Sequence, residues 1–152
     1  MAELIFNRGI SAEAQYVDRQ TWKASNKLQE SAFGIESVLR EELASVWGDC
    51  RVPDWDGHNA LAVTQEALRN AYIFLECLPF SFPKPSVGAE PDGDITLEWH
   101  HSPRRTLSVS VSAEDELHYA ALLGAARTSG TEPFFGEIPE RILDLIRRVG
   151  PC

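Results

Sequence analysis

From residue 86 onward the apolar residues stop recurring every three or four positions and begin to alternate. Ile95, Leu97 and Trp99 alternate with Thr96 and Glu98, and Leu107, Val109 and Val111 alternate with Ser108 and Ser110. Leu117, Tyr119 and Ala121 continue the pattern. A period of two places each set on one face of a strand. Such strands present a single apolar face that another layer must cover. Ser86–Glu90 supplies an earlier strand, joined through the turn Pro91-Asp-Gly-Asp94. Parity then fixes the register. Pairing Val111 with Leu117, Val109 with Tyr119 and Leu107 with Ala121 keeps all six on one face. Ser112–Glu116 becomes a hairpin loop, tighter if its end residues also pair, and the loop around His101-Ser-Pro-Arg104 must be odd in length.

The cover comes from helices. Ile35, Val38, Leu39, Leu43, Val46 and Trp47 recur at helical spacing and Gly48 is expected to close that helix. Thr64 can cap a second helix whose stripe is Ala67, Leu68, Ala71, Tyr72, Leu75 and Leu78, with Cys77 as a small buried hydrophobe. Pro79 and the run to Pro85 end it. In the last helix Pro139 and Glu140 stand at the start, and Arg147, Arg148 and Gly150 at the end. Ile138, Ile142, Leu145, Ile146 and Val149 form its stripe. Residues 1–10 suggest a strand or arm, and Ser11 is a cap for a helix within the polar stretch 11–31. The predicted fold is therefore α+β: a four-stranded antiparallel β-meander with helices packed on one face, in domain 51–152, plus a helical N-terminal extension, residues 1–50.

Fourteen basic against twenty-three acidic residues leave a net charge of −9 among 152 residues. That disfavours direct binding to nucleic acid or to anionic membranes and suits a basic partner. Acidic Glu3 interrupts any secretory signal, and apolar runs such as Tyr72-Ile-Phe-Leu75 are too short to span a bilayer, so a cytoplasmic protein is expected. Cys50, Cys77 and Cys152 are odd in number and widely spaced, which argues against a disulfide framework or zinc knuckle, and Cys152 is expected to be a free thiol.

Three constellations carry possible chemistry. In Asp54-Trp-Asp-Gly57-His58, Asp54, Asp56 and His58 are metal-ligand types, but a calcium loop needs glycine at position six and glutamate at twelve. Here glycine is fourth and Gln65 is twelfth. A turn with Trp55 plugging the core edge fits better. Glu98, Ser110 and His118 share the polar sheet face, with Ser110 directly across from His118, the raw material of nucleophilic catalysis. No nucleophile elbow, phosphate loop, dinucleotide fingerprint or zinc-protease motif accompanies them, and no cofactor is implied. Phe134 and Phe135 cannot both enter one core, so one of them is a candidate anchor for a protein partner, together with Trp22, Glu41 and Glu42. Arg104-Arg105 forms a solvated hairpin tip able to meet an acidic group.

The succession "DWDGHNA", "FLECLP", "PDGDITLEW", "LSVSVS", "LHYAALLG" and "GTEPFFGEIPERILDLI" resembles a family of small bacterial proteins of uncharacterised function, often encoded in mobile or defence-rich regions. It spans about residues 53–149, and His58 stands where that family more often has tyrosine. The resemblance implies a bacterial or phage conflict protein and supplies no catalytic residue. Composition, missing catalytic motifs and the resemblance together predict a non-catalytic protein-interaction module of the antitoxin, immunity or inhibitor kind. Two alternatives stand beside it: an acidic anti-defence protein blocking a nucleic-acid-binding channel, and a small hydrolase using the polar sheet face. One-sided clustering of acids is the mark of the first.

Overall fold

The computed structural model describes residues 34–151, so Trp22, the elements expected before residue 34 and Cys152 lie outside the described residues. The compact unit treated below begins at Val38. The described elements are helix α1 (Gly34–Cys50), helix α2 (Gln65–Cys77), strands β1 (Ser86–Ala89), β2 (Ile95–Ser102), β3 (Arg105–Val111), β4 (Glu116–Leu123) and β5 (Ala126–Pro133), and helix α3 (Glu140–Val149). The fold is α+β. Its antiparallel sheet runs β1-β2-β3-β4-β5 in chain order, a meander of five strands rather than the expected four.

The strand missing from the sequence reading is β5, and the reason is burial. Its eight residues, Ala-Arg-Thr-Ser-Gly-Thr-Glu-Pro, carry none that is fully buried, so no apolar alternation announces it. Its partner and its turn hold it instead. Leu123 faces Ala126 across the two-residue connection Gly124-Ala125. Gly124 takes φ +67°, the positive value that the first residue of a type II′ turn requires and that glycine adopts without strain. Gly130 faces Tyr119, and a Cβ there would come within 2.7 Å of the tyrosine hydroxyl, so a side chain at this position would displace that ring.

The remaining register follows parity. Val111 faces Leu117, Val109 faces Tyr119, Leu107 faces Ala121 and Ser110 faces His118. Ser112 N–H donates to the Glu116 carbonyl at 3.1 Å, closing the tighter loop. Between β2 and β3 the register shifts between His100 and Ser102, leaving His101 as the extra residue before Ser102 meets Arg105. That bulge supplies the odd loop length.

One sheet face carries Ile95, Leu97, Leu107, Val109, Val111 and Leu117, all fully buried. Against it lie Ile142, Leu145, Ile146 and Val149 of α3, and Ala67, Ala71 and Phe74 of α2. The α2 stripe is thus centred on Phe74 rather than on Tyr72 and Leu75, which are half-buried at its flank. Cys77 falls past this face and is exposed, donating its thiol proton to the Gly136 carbonyl at 3.1 Å. Thr64 caps α2 by accepting from Ala67 N–H at 3.1 Å. Helix α1 continues two residues beyond Gly48 because Cys50 is buried and its carbonyl accepts from Val63 N–H. Leu43 and Cys50 of α1, a helix assigned by sequence to the N-terminal extension, belong to the same core as the sheet. Val38, expected in its stripe, is 41% exposed. Among the described residues no helix is long and apolar enough to cross a membrane.

The chain between β5 and α3 is locked by an aromatic cluster. Phe74 lies 6.3 Å from the Trp99 ring and 5.8 Å from the Phe134 ring, both tilted. Phe134 is only 2% exposed, so it is a core residue and not the partner anchor considered from sequence; Phe135 beside it is 82% exposed. Truncating these neighbours separates packing from display. Phe134→Ala is expected to destabilise the fold by roughly 3–5 kcal/mol. Phe135→Ala should stay within about 0.5 kcal/mol of the parent in urea unfolding; equal losses would contradict the assignment.

Candidate functional site

The Asp54–Ala60 loop is wired to itself. Asp54 N–H donates to the Ala60 carbonyl at 2.8 Å, and the Asp54 carboxylate accepts from Asn59 N–H at 2.7 Å. The Asp56 carboxylate accepts from His58 N–H at 2.8 Å and Ala60 N–H at 3.0 Å. The first of these bonds holds the Asp56 carboxyl below its ordinary value, because a donated hydrogen bond favours the anion. His58 Nδ1 lies 2.8 Å from the Asp56 carbonyl, which can only accept, so Nδ1 carries the proton. Asp54, Gly57 and Asn59 adopt φ of 61°, 73° and 65° to close the loop. Trp55 donates to the Leu61 carbonyl and packs on the core edge. Leu61 N–H then donates to the Pro91 carbonyl at 2.7 Å, tying the loop to the β1–β2 turn. Asp54, Asp56 and His58 therefore converge on their own backbone; among the described residues no three His, Cys, Asp or Glu are arranged to hold a metal ion.

On the polar sheet face Ser110 and His118 are cross-strand partners, yet the hydroxyl turns elsewhere. Ser110 Oγ donates to Glu90 Oε1 at 2.6 Å, and Thr96 Oγ1 donates to the same oxygen at 2.8 Å. His118 Nδ1 sits 3.0 Å from Thr131 Oγ1, and its Nε2 is 3.8 Å from Glu116 Oε2. Glu98 is exposed one row along the sheet, opposite Ser108. Glu98, Ser110 and His118 thus do not assemble into a nucleophile, base and orienting acid. The carboxylate that reaches Ser110 is Glu90, which sequence reading treated only as a strand end. Its signal was positional: the residue just past β1 stands beside Asp94 at the end of the sheet, from where a glutamate can reach β3.

This end of the sheet is acidic by topology. In a meander, alternate turns fall at the same end, so the β1–β2 turn and the β3–β4 loop lie side by side. The first carries Glu90, Asp92 and Asp94, and the second carries Glu114, Asp115 and Glu116. Asn70 of α2 donates to the Asp115 carboxylate at 3.3 Å and to the Ser112 carbonyl at 3.0 Å. The Asp94 carboxyl is pushed up to about 6, first by burial and then by Asp92 and Glu90, with Glu114 adding and His118 opposing. At the other end Arg104 is exposed at the β2–β3 turn. Arg105, expected at a solvated tip, instead donates to the Arg148 and Gly150 carbonyls at 2.6 and 2.8 Å and caps α3.

Phe135 stands next to the acidic lip. Phe134 N–H donates to the Asp115 carbonyl at 2.8 Å, and Pro133 faces Glu116. Gly136 follows at φ +88°, turning the chain toward α3. The adjoining hollow, of about 590 Å3, is lined by Cys77, Pro133, Phe135, Ile138 and Leu143 with Glu137 and Glu140 at its rim. Glu41 and Glu42 are exposed on α1.

Because the folded-state value of Asp94 lies above that of an unfolded aspartate, the folded protein binds its proton more tightly. The penalty is full above about pH 6 and is relieved as pH falls from 6 towards 4. Asp94→Asn is expected to stabilise the protein by roughly 1 kcal/mol at pH 7.5, a figure reduced for the carboxyl's contact with solvent. The gain should vanish near pH 4 in paired denaturation curves; an equal gain at both pH values would refute the charge explanation.

No protein-family model, curated protein or solved structure matches this chain.

Proposed function

We propose that this protein is a non-catalytic protein-interaction module of the antitoxin, immunity or inhibitor kind, which masks a basic surface on a protein partner. The observation that carries the reading is Phe135, a large aromatic side chain 82% exposed beside a lip of six carboxylates, Glu90, Asp92, Asp94, Glu114, Asp115 and Glu116. Buried Phe134 on one side and the turn at Gly136 on the other hold it there. An apolar anchor flanked by charge is the arrangement of an interface hot spot, in which the ring fills a pocket and the charges guide approach. The net charge of −9 and the absence of a catalytic sequence motif agree with this reading. The resemblance across residues 53–149 supports a bacterial or phage conflict system acting in the cytoplasm.

A second reading is favoured by the same lip. Six carboxylates grouped at one end of the sheet suit an anti-defence protein that occupies a nucleic-acid-binding channel. The two readings differ in what holds the partner: a channel mimic depends on charge, an anchored masker on Phe135. The polar-face hydrolase is not retained, since Ser110 is committed to Glu90.

Affinity capture of the full-length chain from its host at low and high salt, with the parent and Phe135→Ala, tests this. The expected result is a stoichiometric protein complex that survives high salt and is weakened about tenfold or more by Phe135→Ala. A complex lost steeply with salt and indifferent to Phe135 would transfer the assignment to the channel mimic. Recovery only as a free protein that turns over a small molecule would overturn both.

A further inference from the structure

The two edges of the sheet are treated differently. The β1 edge is four residues long, follows Pro83 and Pro85 and is succeeded by Glu90, devices that blunt an edge against pairing. The β5 edge is eight residues long and keeps an unbroken register with β4.

The phase of its hydrogen bonds follows from the turn. Leu123 and Ala126 close a two-residue hairpin and form a hydrogen-bonded pair, and bonded pairs recur at every second residue. Ala126, Thr128, Gly130 and Glu132 therefore bond inward to β4. The bond from Phe134 N–H to the Asp115 carbonyl continues the same phase. Arg127, Ser129 and Thr131 turn their N–H and C=O groups outward. All three residues are exposed, and no backbone bond beyond the strands reaches them among the described residues. Pro133, the next outward position, has no N–H to offer, as expected of a proline on an edge.

The outward groups are most fully matched to a second copy in one register. An antiparallel two-fold axis through Ser129 pairs Ser129 with its own copy and Arg127 with Thr131 twice, which uses every outward donor. An axis through Arg127 would oppose two guanidinium groups, and one through Thr131 would set Ser129 against Pro133. An axis through Thr128 pairs Arg127 with Ser129 twice but sets Thr131 against Ala125 of the turn, and one through Gly130 pairs Ser129 with Thr131 twice but sets Arg127 against Pro133, which has no N–H. We propose that β5 is a self-association edge, along which a second copy of this chain pairs antiparallel about Ser129 to fuse two five-stranded sheets into one of ten. The contact is isologous, closes at two copies and leaves Phe135 outside the paired segment. It is independent of the partner reading above.

An edge this short makes a small interface, so association should be concentration-dependent. In sedimentation equilibrium of the full chain, the mass should rise from 16.9 kDa towards twice that value between about 10 μM and 1 mM protein. Ser129→Pro removes the central outward N–H and none of the bonds to β4, and should stay monomeric with unchanged circular dichroism. Amide exchange decides the matter if that variant misfolds. The N–H groups of Arg127, Ser129 and Thr131 should slow at least about tenfold with rising concentration, whereas those of Thr128, Gly130 and Glu132 are protected throughout. A constant monomer mass, a folded Ser129→Pro dimer, or concentration-independent exchange at the three outward amides would each overturn the proposal.

Discussion

The contact between Phe74, Trp99 and Phe134 holds the functional surface in place. It joins α2 to the centre of β2 and both to the segment that leads from β5 into α3. Rings of this size bury enough apolar area to fix a connection that the polar strand before it could not fix alone. Trp99 is anchored in turn by its indole N–H, which donates to the Pro83 carbonyl at 2.7 Å and so pins the proline run beneath β2. With Phe134 drawn inward, alternation forces Phe135 outward. Exposure of the second ring is thus a consequence of burying the first.

The meander sorts charge as well as hydrophobicity. Two connections at one end carry six carboxylates; hydroxyl and amide donors serve two of them, and Glu116 lies 3.8 Å from His118 Nε2. Thr96 and Ser110 hydroxyls serve Glu90, and the Asn70 amide serves Asp115. Hydroxyl and amide donors satisfy a carboxylate without cancelling its charge, so the lip remains anionic. The cost appears at Asp94, whose proton is held up to about pH 6. A chain that stabilised only itself would gain by placing an arginine there. Retaining the repulsion is consistent with a surface shaped for something else to neutralise.

Much of this was legible in the sequence where burial was two-valued. The register of β3 against β4, the α3 stripe and the Thr64 cap follow from spacing, because each residue there is either fully inside or fully outside. Strand β5 was not legible, since Gly124 and a tyrosine laid over Gly130 define it rather than an apolar pattern. The sequence stripe takes Leu75 and leaves out Phe74 because α2 meets α1 as well as the sheet, which broadens its apolar arc. Gly48 read as a helix end, but burying Cys50 outweighs the weak helix propensity of glycine. At the candidate site the parity argument brought Ser110 opposite His118 correctly. What it could not show was the side-chain direction, decided by Glu90 reaching in from beyond β1. The Asp54–Ala60 loop is a joint: its carboxylates bind its own amides, and through Leu61 it braces the turn that bears half of the acidic lip.

The central claim is that this protein acts by presenting Phe135 and the acidic lip to another protein. Photo-crosslinking in the native host tests it most directly, with a photoreactive phenylalanine analogue placed at position 135 and, separately, at Ala120 on the open sheet face. The account expects one discrete protein adduct from position 135, carrying a basic surface, and none of that identity from position 120. A common set of adducts from both positions, or an adduct from position 120 alone, would contradict it.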